Sequence, residues 1–384
     1  MNEIRVVLLF FLICFFCITA CKKQQENDRI SLDSSGAKIE LMSLDTILLD
    51  GSLTSQVGYF FISDLGVHFA DRVQSKLFTF SLKGEYLGTS LEKGDGPKNQ
   101  NGLHGLVFKD SLFYVLSDQF ISIFDRDFTI KERFQFKWGG HEPYEEMLNF
   151  PTADMFGLYE IAWISRLVNM PFIPLEKEGG FILPVMMTHP KLNGYWTTDY
   201  YEEVSNLGLF NENLELIKLG GKRSEEYLDH HFLPNFDYTN LVRRRGELLV
   251  SFPIDHKIYV YDLDLEYLRK FGDPGKMMKQ DYISTQTLEE AEAQWELDFD
   301  QFGFYDHLFY DEEKDLLFRS YVPQGRKENF SRLQIYREER LVADVKVPLR
   351  FKVIGSSGKF YYADGIIDEE NEKLGFYKFS IDEM

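Results

Sequence analysis

One phrase recurs along this chain: an aromatic-rich apolar run, a short polar turn and a second run. "SKLFTFSLKGEYLGTSLEKG" begins at Ser75, "QFISIFDRDFTIKERFQFKWGG" at Gln119 and "NLGLFNENLELIKLGG" at Asn206. "HKIYVYDLDLEYLRKFGD" begins at His256 and "SRLQIYREERLVADVKVP" at Ser331, while "KLGFYKFSIDEM" at Lys373 stops at its turn. Strand-forming residues on either side of a turn read as a β-hairpin, and a recurring hairpin means a repeat architecture.

A second hairpin precedes most copies. "HGLVFKDSLFYVLSD" turns at Lys109-Asp110-Ser111 and "NLVRRRGELLVSFP" at Arg244-Arg245-Gly246, with "HLFYDEEKDLLFRSYV" and "FKVIGSSGKFYYADG" before the last two copies. Two hairpins make a four-stranded antiparallel meander, and about six meanders follow one another. Ile258 and Val260 point one way and Tyr259 and Tyr261 the other, so both faces of that strand are apolar. Such strands need cover on both sides, as stacked blades provide. The expectation is an all-β, six-bladed β-propeller of four-stranded antiparallel blades. The last copy lacks its outer strand, and "AKIELMSLDTILLD" (37–50) belongs to no complete blade. It is expected to supply the missing strand and close the ring, covering two open edges.

Two stretches exceed the repeat length, at about 141–205 and 273–302. In the second, "STQTLEEAEAQWELDFD" predicts a helix, with Thr287 and Glu290 spaced as a capping box. Insertions in a repeat fold gather on one face, where function often resides.

The N-terminus reads as an address. Arg5 precedes an apolar run from Val6 to Ala20, which is shorter than the roughly 20 residues a membrane-spanning helix needs. That length suits a signal peptide over residues 1–20. Ile18-Thr19-Ala20-Cys21 is similar to a bacterial lipobox, with Cys21 as the residue to be lipidated. Residues 21–36 are polar and aperiodic and read as a flexible tether, leaving 37–384 for the propeller. Cys14, Cys17 and Cys21 are the only cysteines, so no disulfide framework holds the fold. A net charge of −20 argues against nucleic acid as a partner.

Chemical motifs are scarce. No Gly-x-Ser-x-Gly elbow, HExxH motif or phosphate-binding loop occurs, and no cofactor or metal is implied. Glu296, Asp298 and Asp300 only partly match a calcium loop, because Phe302 stands where another ligand belongs; they read as a solvated acidic loop. His230 and His231 follow Asp229, and as neighbours they would point to opposite faces of a strand. Aligning the inner hairpins places His104, Thr239 with Asn240, Asp306 with His307, and Arg350 at the starts of inner strands. Polar groups converging there make His104, Asn240, Asp306, His307 and Arg350 the ligand-binding candidates. An aromatic insert with Trp163, Tyr195, Trp196, Tyr200 and Tyr201 is either a second binding surface or packing for its blade.

The lipobox, the "LFTFSLKGEYLG"-like hairpins and the "GDGPKN" loop resemble an uncharacterised family of Bacteroidota lipoproteins with a TolB-like six-bladed propeller, a domain of unknown function. The resemblance implies a fold and an envelope location and supplies no catalytic residues. The expected role is a monomeric, lipid-anchored module of the cell envelope, at the outer membrane. It would engage a protein or glycan through the channel mouth and the inserts. The alternative is a carbohydrate-active lyase or hydrolase using His104, His307 and Arg350.

Overall fold

The computed structural model describes residues 39–383, apart from 51–52, 95, 97–98, 141, 163–167, 176–178, 231, 369–370 and 372. The expected signal peptide, Cys21, the tether, Trp163 and His231 therefore lie outside the described residues.

Six antiparallel sheets form a six-bladed propeller. The first blade is Gly58–Ser63, Gly66–Asp71, Lys76–Phe80 and Tyr86–Ser90; the second is Gly105–Lys109, Leu112–Leu116, Phe120–Phe124 and Ile130–Gln135. The fourth runs Asn240–Arg244, Glu247–Ser251, Ile258–Asp262 and Tyr267–Phe271, and the fifth Phe304–Asp311, Leu316–Val322, Phe330–Arg337 and Arg340–Pro348. In the sixth, Lys352–Ser357, Phe360–Asp368 and Lys373–Glu383 are completed by Ile39–Asp50. That strand pairs antiparallel with Lys373–Glu383, setting Ile47 against Phe376, which is the ring closure expected from the truncated last repeat.

The third blade departs from the sequence reading. Its inner strands are Tyr159–Ile161 and Phe181–Met187, followed by Leu207–Phe210 and Leu216–Gly220. Much of the stretch taken as insertion is thus the blade's own inner hairpin, whose first strand is interrupted after Ile161 and resumes at Ile173–Pro174, paired with Phe181 and Ile182. The break does a structural job. Met170 N–H donates to His104 O (2.9 Å), and the Asn169 side chain exchanges two hydrogen bonds with the Leu106 backbone, tying this blade to the second.

The core lies between blades, as two-faced strands require. In Gly58–Ser63, Phe60 packs with Phe69, Tyr362 and Phe376 of the sixth-blade side, while Tyr59 and Phe61 pack with Leu106 and Phe113 of the second. In the fourth blade Tyr259 and Tyr261 join the third-blade cluster, and Ile258 and Val260 join Leu308 and Leu317 of the fifth.

The repeated turn now has a physical explanation. In four outer hairpins the side-chain oxygen of the first turn residue accepts two backbone N–H bonds, from the residues two and four further on. These are Ser81, Asp125, Asn211 and Asp262. The fourth turn residue then takes a left-handed conformation: Gly84 (φ 89°), Phe128 (φ 54°), Leu214 (φ 56°) and Leu265 (φ 64°). Three of these residues are large and buried, although a positive φ disfavours side chains. Their burial offsets that strain, because the turn latches onto the preceding blade. Leu214 O accepts from Lys137 N–H of the chain leaving the second blade, and Leu265 packs on Gly220 at the end of the third. In the fifth blade the tighter Glu338-Glu339 turn does the same by charge, Glu339 bonding Arg244 and Arg269 of the fourth.

Candidate functional site

The strand order separates two edges of the ring. At one edge, inner strands end in tight hairpins, such as Asp110-Ser111, Arg245-Gly246 and the latching turns. At the other, inner strands begin, and every described helix lies in a connection at this entry edge. Among them, Tyr144–Asn149 follows the second blade, Thr198–Glu203 joins the middle strands of the third, and Leu288–Gln301 precedes the fifth. The last helix is capped as its sequence predicts, with Thr287 Oγ1 accepting from Glu290 N–H (3.1 Å).

Asp306 and His307 lie in the first strand of the fifth blade and meet the sixth. Lys352 Nζ is 3.1 Å from Asp306 Oδ2, and His307 Nε2 donates to Val353 O (2.9 Å). Burial, with the nearby Lys352 charge, pushes the His307 imidazole down to about 4. Lys352 also neighbours Asp364, whose carboxyl burial pushes up even as it accepts from Phe60 N–H (3.1 Å). Arg350 stands just ahead of this junction at φ 65°, its N–H bonded to Ser331 Oγ. Asn240 is buried in the fourth blade, and its Nδ2 has no partner among the described residues. Thr239 beside it accepts from Asn206 Nδ2. The structure therefore joins Asp306, His307 and the Arg350 segment around one blade junction. His104, three blades away, belongs to another neighbourhood.

Half-buried His104 sits between Arg72 of the first blade and Asp118 of its own. Arg72 Nη2 is 2.9 Å from His104 Nδ1, and Asp118 Oδ1 bonds Nε2. Arginine only donates, so Nδ1 accepts and Nε2–H points to Asp118. Burial lowers the His104 pKa, with Arg72 acting the same way and Asp118 against it. Asp118 opens onto a cleft of about 270 Å³ between the second and third blades. Gln119, Gln135, Phe136, Trp138, Glu160 and Ile161 complete its lining. The Phe136 and Trp138 rings are stacked, 6.0 Å apart and 20° from parallel, both braced edge-on by Phe210. Burial raises the Glu160 pKa. Sequence alignment of strand starts missed this cleft, because its residues come from a turn, the end of an outer strand and an irregular inner strand. The signal available was Phe136-Lys137-Trp138, two large aromatics just past the strand Ile130–Gln135.

Other candidates resolve as structure. Tyr200 and Tyr201 are buried, Tyr200 bonding Asp237 and Arg223, and Tyr201 donating to Gly194 O. They pack the insert onto its blade, while Trp196 stays exposed. Glu296, Asp298 and Asp300 belong to the end of the helix Leu288–Gln301, not to a loop; Glu296 and Asp300 hold Arg326, and Asp298 accepts from Asn235. Glu226, Asp255 and His256 offer ligand-type atoms within 4.8 Å of one another. Both Asp255 oxygens are already engaged, by Lys257 N–H and Tyr259 OH, and the Arg319 guanidinium binds the Asp255 and His256 carbonyls beside them. That fixed positive charge opposes a cation there.

Fold and site together define a six-bladed propeller with a polar-rimmed aromatic cleft between its second and third blades. In structure the chain is similar to a member of the DUF4221 family from Bacteroides vulgatus, with TM-score 0.61 and 13% identity over 91% of this chain and 100% of that one. It is also similar to a Bacteroides fragilis protein assigned as exported, with TM-score 0.53 and 12% identity over 92% of this chain and 98% of that one. At these identities the likeness shows a shared fold. The sequence matches no protein-family model and no curated protein.

Proposed function

We propose that the protein is a lipid-anchored binding module of the cell envelope, held at the outer membrane through Cys21, that engages a ligand across its entry edge. The observation carrying this reading is the asymmetry of the ring: helices and long connections share one edge, where Asp118 and Glu160 of the cleft also stand, and tight hairpins occupy the other. Such concentration of irregular chain on a rigid scaffold is where binding residues gather. The lipobox-like Ile18-Thr19-Ala20-Cys21 supports the address, and the Bacteroides fragilis neighbour carries the name of an exported protein. The resemblance of its sequence to uncharacterised lipoproteins with TolB-like propellers fits the same picture.

Weighing against a lyase or hydrolase built on His104, His307 and Arg350 is their division between the second blade and the fifth–sixth junction. General acid–base chemistry needs its groups within hydrogen-bond reach of one substrate. Photo-crosslinking side chains placed at Trp196 and Met277 on the entry edge, and at Leu65 and Asp264 on the hairpin edge, test the reading in intact cells. Adducts from the entry edge alone are expected; equal labelling, or none, overturns it. Cys21→Ser is expected to move the protein from the membrane to the soluble fraction.

A further inference from the structure

We propose that the cleft between the second and third blades binds one uncharged pyranose ring, an exposed residue of a glycan. This rests on the reading of the entry edge as the ligand-binding edge and names the chemistry of its ligand. A pyranose has a C–H face that packs on aromatic rings and a rim of hydroxyls that both donate and accept. The cleft offers both complements. Phe136 and Trp138 are half-buried and braced by Phe210, so their orientation is set before a ligand arrives. Around them stand Asp118, Gln119, Gln135 and Glu160. Among the described residues, Gln119, Gln135 and Glu160 make no side-chain hydrogen bond, and Asp118 makes only the one to His104. Two amides and two carboxyls supply donors and acceptors in the mixture a hydroxyl rim requires.

Size and charge narrow the ligand. A volume of about 270 Å³ lies below the roughly 300–1,000 Å³ typical of pockets for drug-sized molecules, which suits a single ring. Aromatic faces beside carboxylates also suit an organic cation. Here, however, Asp118 is tied to His104, behind which stands the Arg72 guanidinium. That guanidinium partly compensates the negative charge facing the cleft, and a neutral polyol fits it better than an amine.

The test is calorimetric titration of the purified protein with neutral methyl pyranosides and neutral oligosaccharides, and with benzyltrimethylammonium as the cationic probe. Saturable binding of at least one neutral saccharide is expected, unchanged between low and high salt. Trp138→Ala is expected to weaken it roughly three- to tenfold, the scale of a lost aromatic contact. Glu160→Gln, which leaves the stack in place, is expected to shift the preference among saccharides, and Trp196→Ala to change nothing. Circular dichroism and unfolding midpoints of each variant separate lost binding from lost folding. The inference is overturned by absence of neutral saccharide binding, by binding indifferent to both cleft variants, or by salt-sensitive preference for the cation. If it fails while entry-edge crosslinks persist, only the ligand class is wrong; if those crosslinks are absent too, the binding reading falls with it.

Discussion

Leu265 of the fourth blade lies so close to Gly220 of the third that a Cβ on the glycine would stand 2.6 Å from the leucine Cβ. This contact is one instance of the latch repeated round the ring, and it explains a buried leucine at φ 64°. Gly220→Ala is expected to force the blades apart and cost about 1–3 kcal/mol by overpacking. Leu265→Gly relaxes the backbone but empties the contact, and a buried leucine outweighs the strain, so a net loss of about 2–4 kcal/mol is expected. Urea unfolding measures both; a Leu265→Gly protein more stable than wild type would refute the latch.

Arg319 is fully buried, with no carboxylate paired to it among the described residues. Its guanidinium lies 3.5 Å from the Tyr305 ring centre and donates to Ser251 Oγ, Asp255 O and His256 O, fastening the fourth blade to the fifth. Arg319→Met leaves those acceptors without a donor at roughly 1–3 kcal/mol each, partly offset by removing a buried charge. A net cost of about 2–5 kcal/mol is expected. Arg126→Ala, which breaks an exposed pair with Asp64, is expected to cost less than about 1 kcal/mol. Equal unfolding midpoints for the two variants would contradict the fastening role.

The fold was legible because its determinants are local and repeated. Runs with two apolar faces, such as Ile258–Asp262, and turn residues such as Asp125, Asn211 and Asp262 are visible without coordinates. Ring closure followed from one unmatched strand and one truncated repeat. The cleft was not legible because nothing in the period marks it. Asp118 and Glu160 are ordinary charges until the blades bring them together, and Phe136 and Trp138, just past the strand Ile130–Gln135, read as part of their repeat copy. Tyr200 and Tyr201 carried the opposite ambiguity: residues that suit a binding platform equally suit a core, and only the partners Asp237, Arg223 and Gly194 decide between them.

Closure by Ile39–Asp50 joins the two ends of the described chain, down to a 3.3 Å contact between Ser43 Oγ and Ser380 Oγ. Removing residues 39–50 would expose the edge of Lys373–Glu383 and uncover Gly84, whose position lies against Ile47 and Leu49. The truncated protein is expected to melt at a lower temperature and to self-associate through the open edge. Thermal scans with light scattering check this; a wild-type midpoint would mean that the strand adds nothing to the ring.

His307 supplies a pH dependence whose sign follows from its surroundings. Its half-buried ring donates to Val353 O beside Lys352, and its pKa is pushed down to about 4 from 6.5. As pH falls, the unfolded chain takes up this proton first, so acid favours unfolding. The contribution is complete above about 6.5 and is lost as pH falls toward about 4, where the folded protein is protonated too. Its size is at most about 3 kcal/mol, less for the part of the ring that water reaches. His68, pushed down to about 3 by burial, acts in the same direction, as does Glu247, held at about 2 chiefly by its bond to Arg269. Comparison with His307→Gln, which retains an amide donor for Val353 O, isolates the one residue. Urea midpoints at pH 7.5, 5.5 and 4.5 are expected to fall more steeply for wild type than for the variant. Parallel declines would show that His307 carries no proton linkage between the folded and unfolded chain.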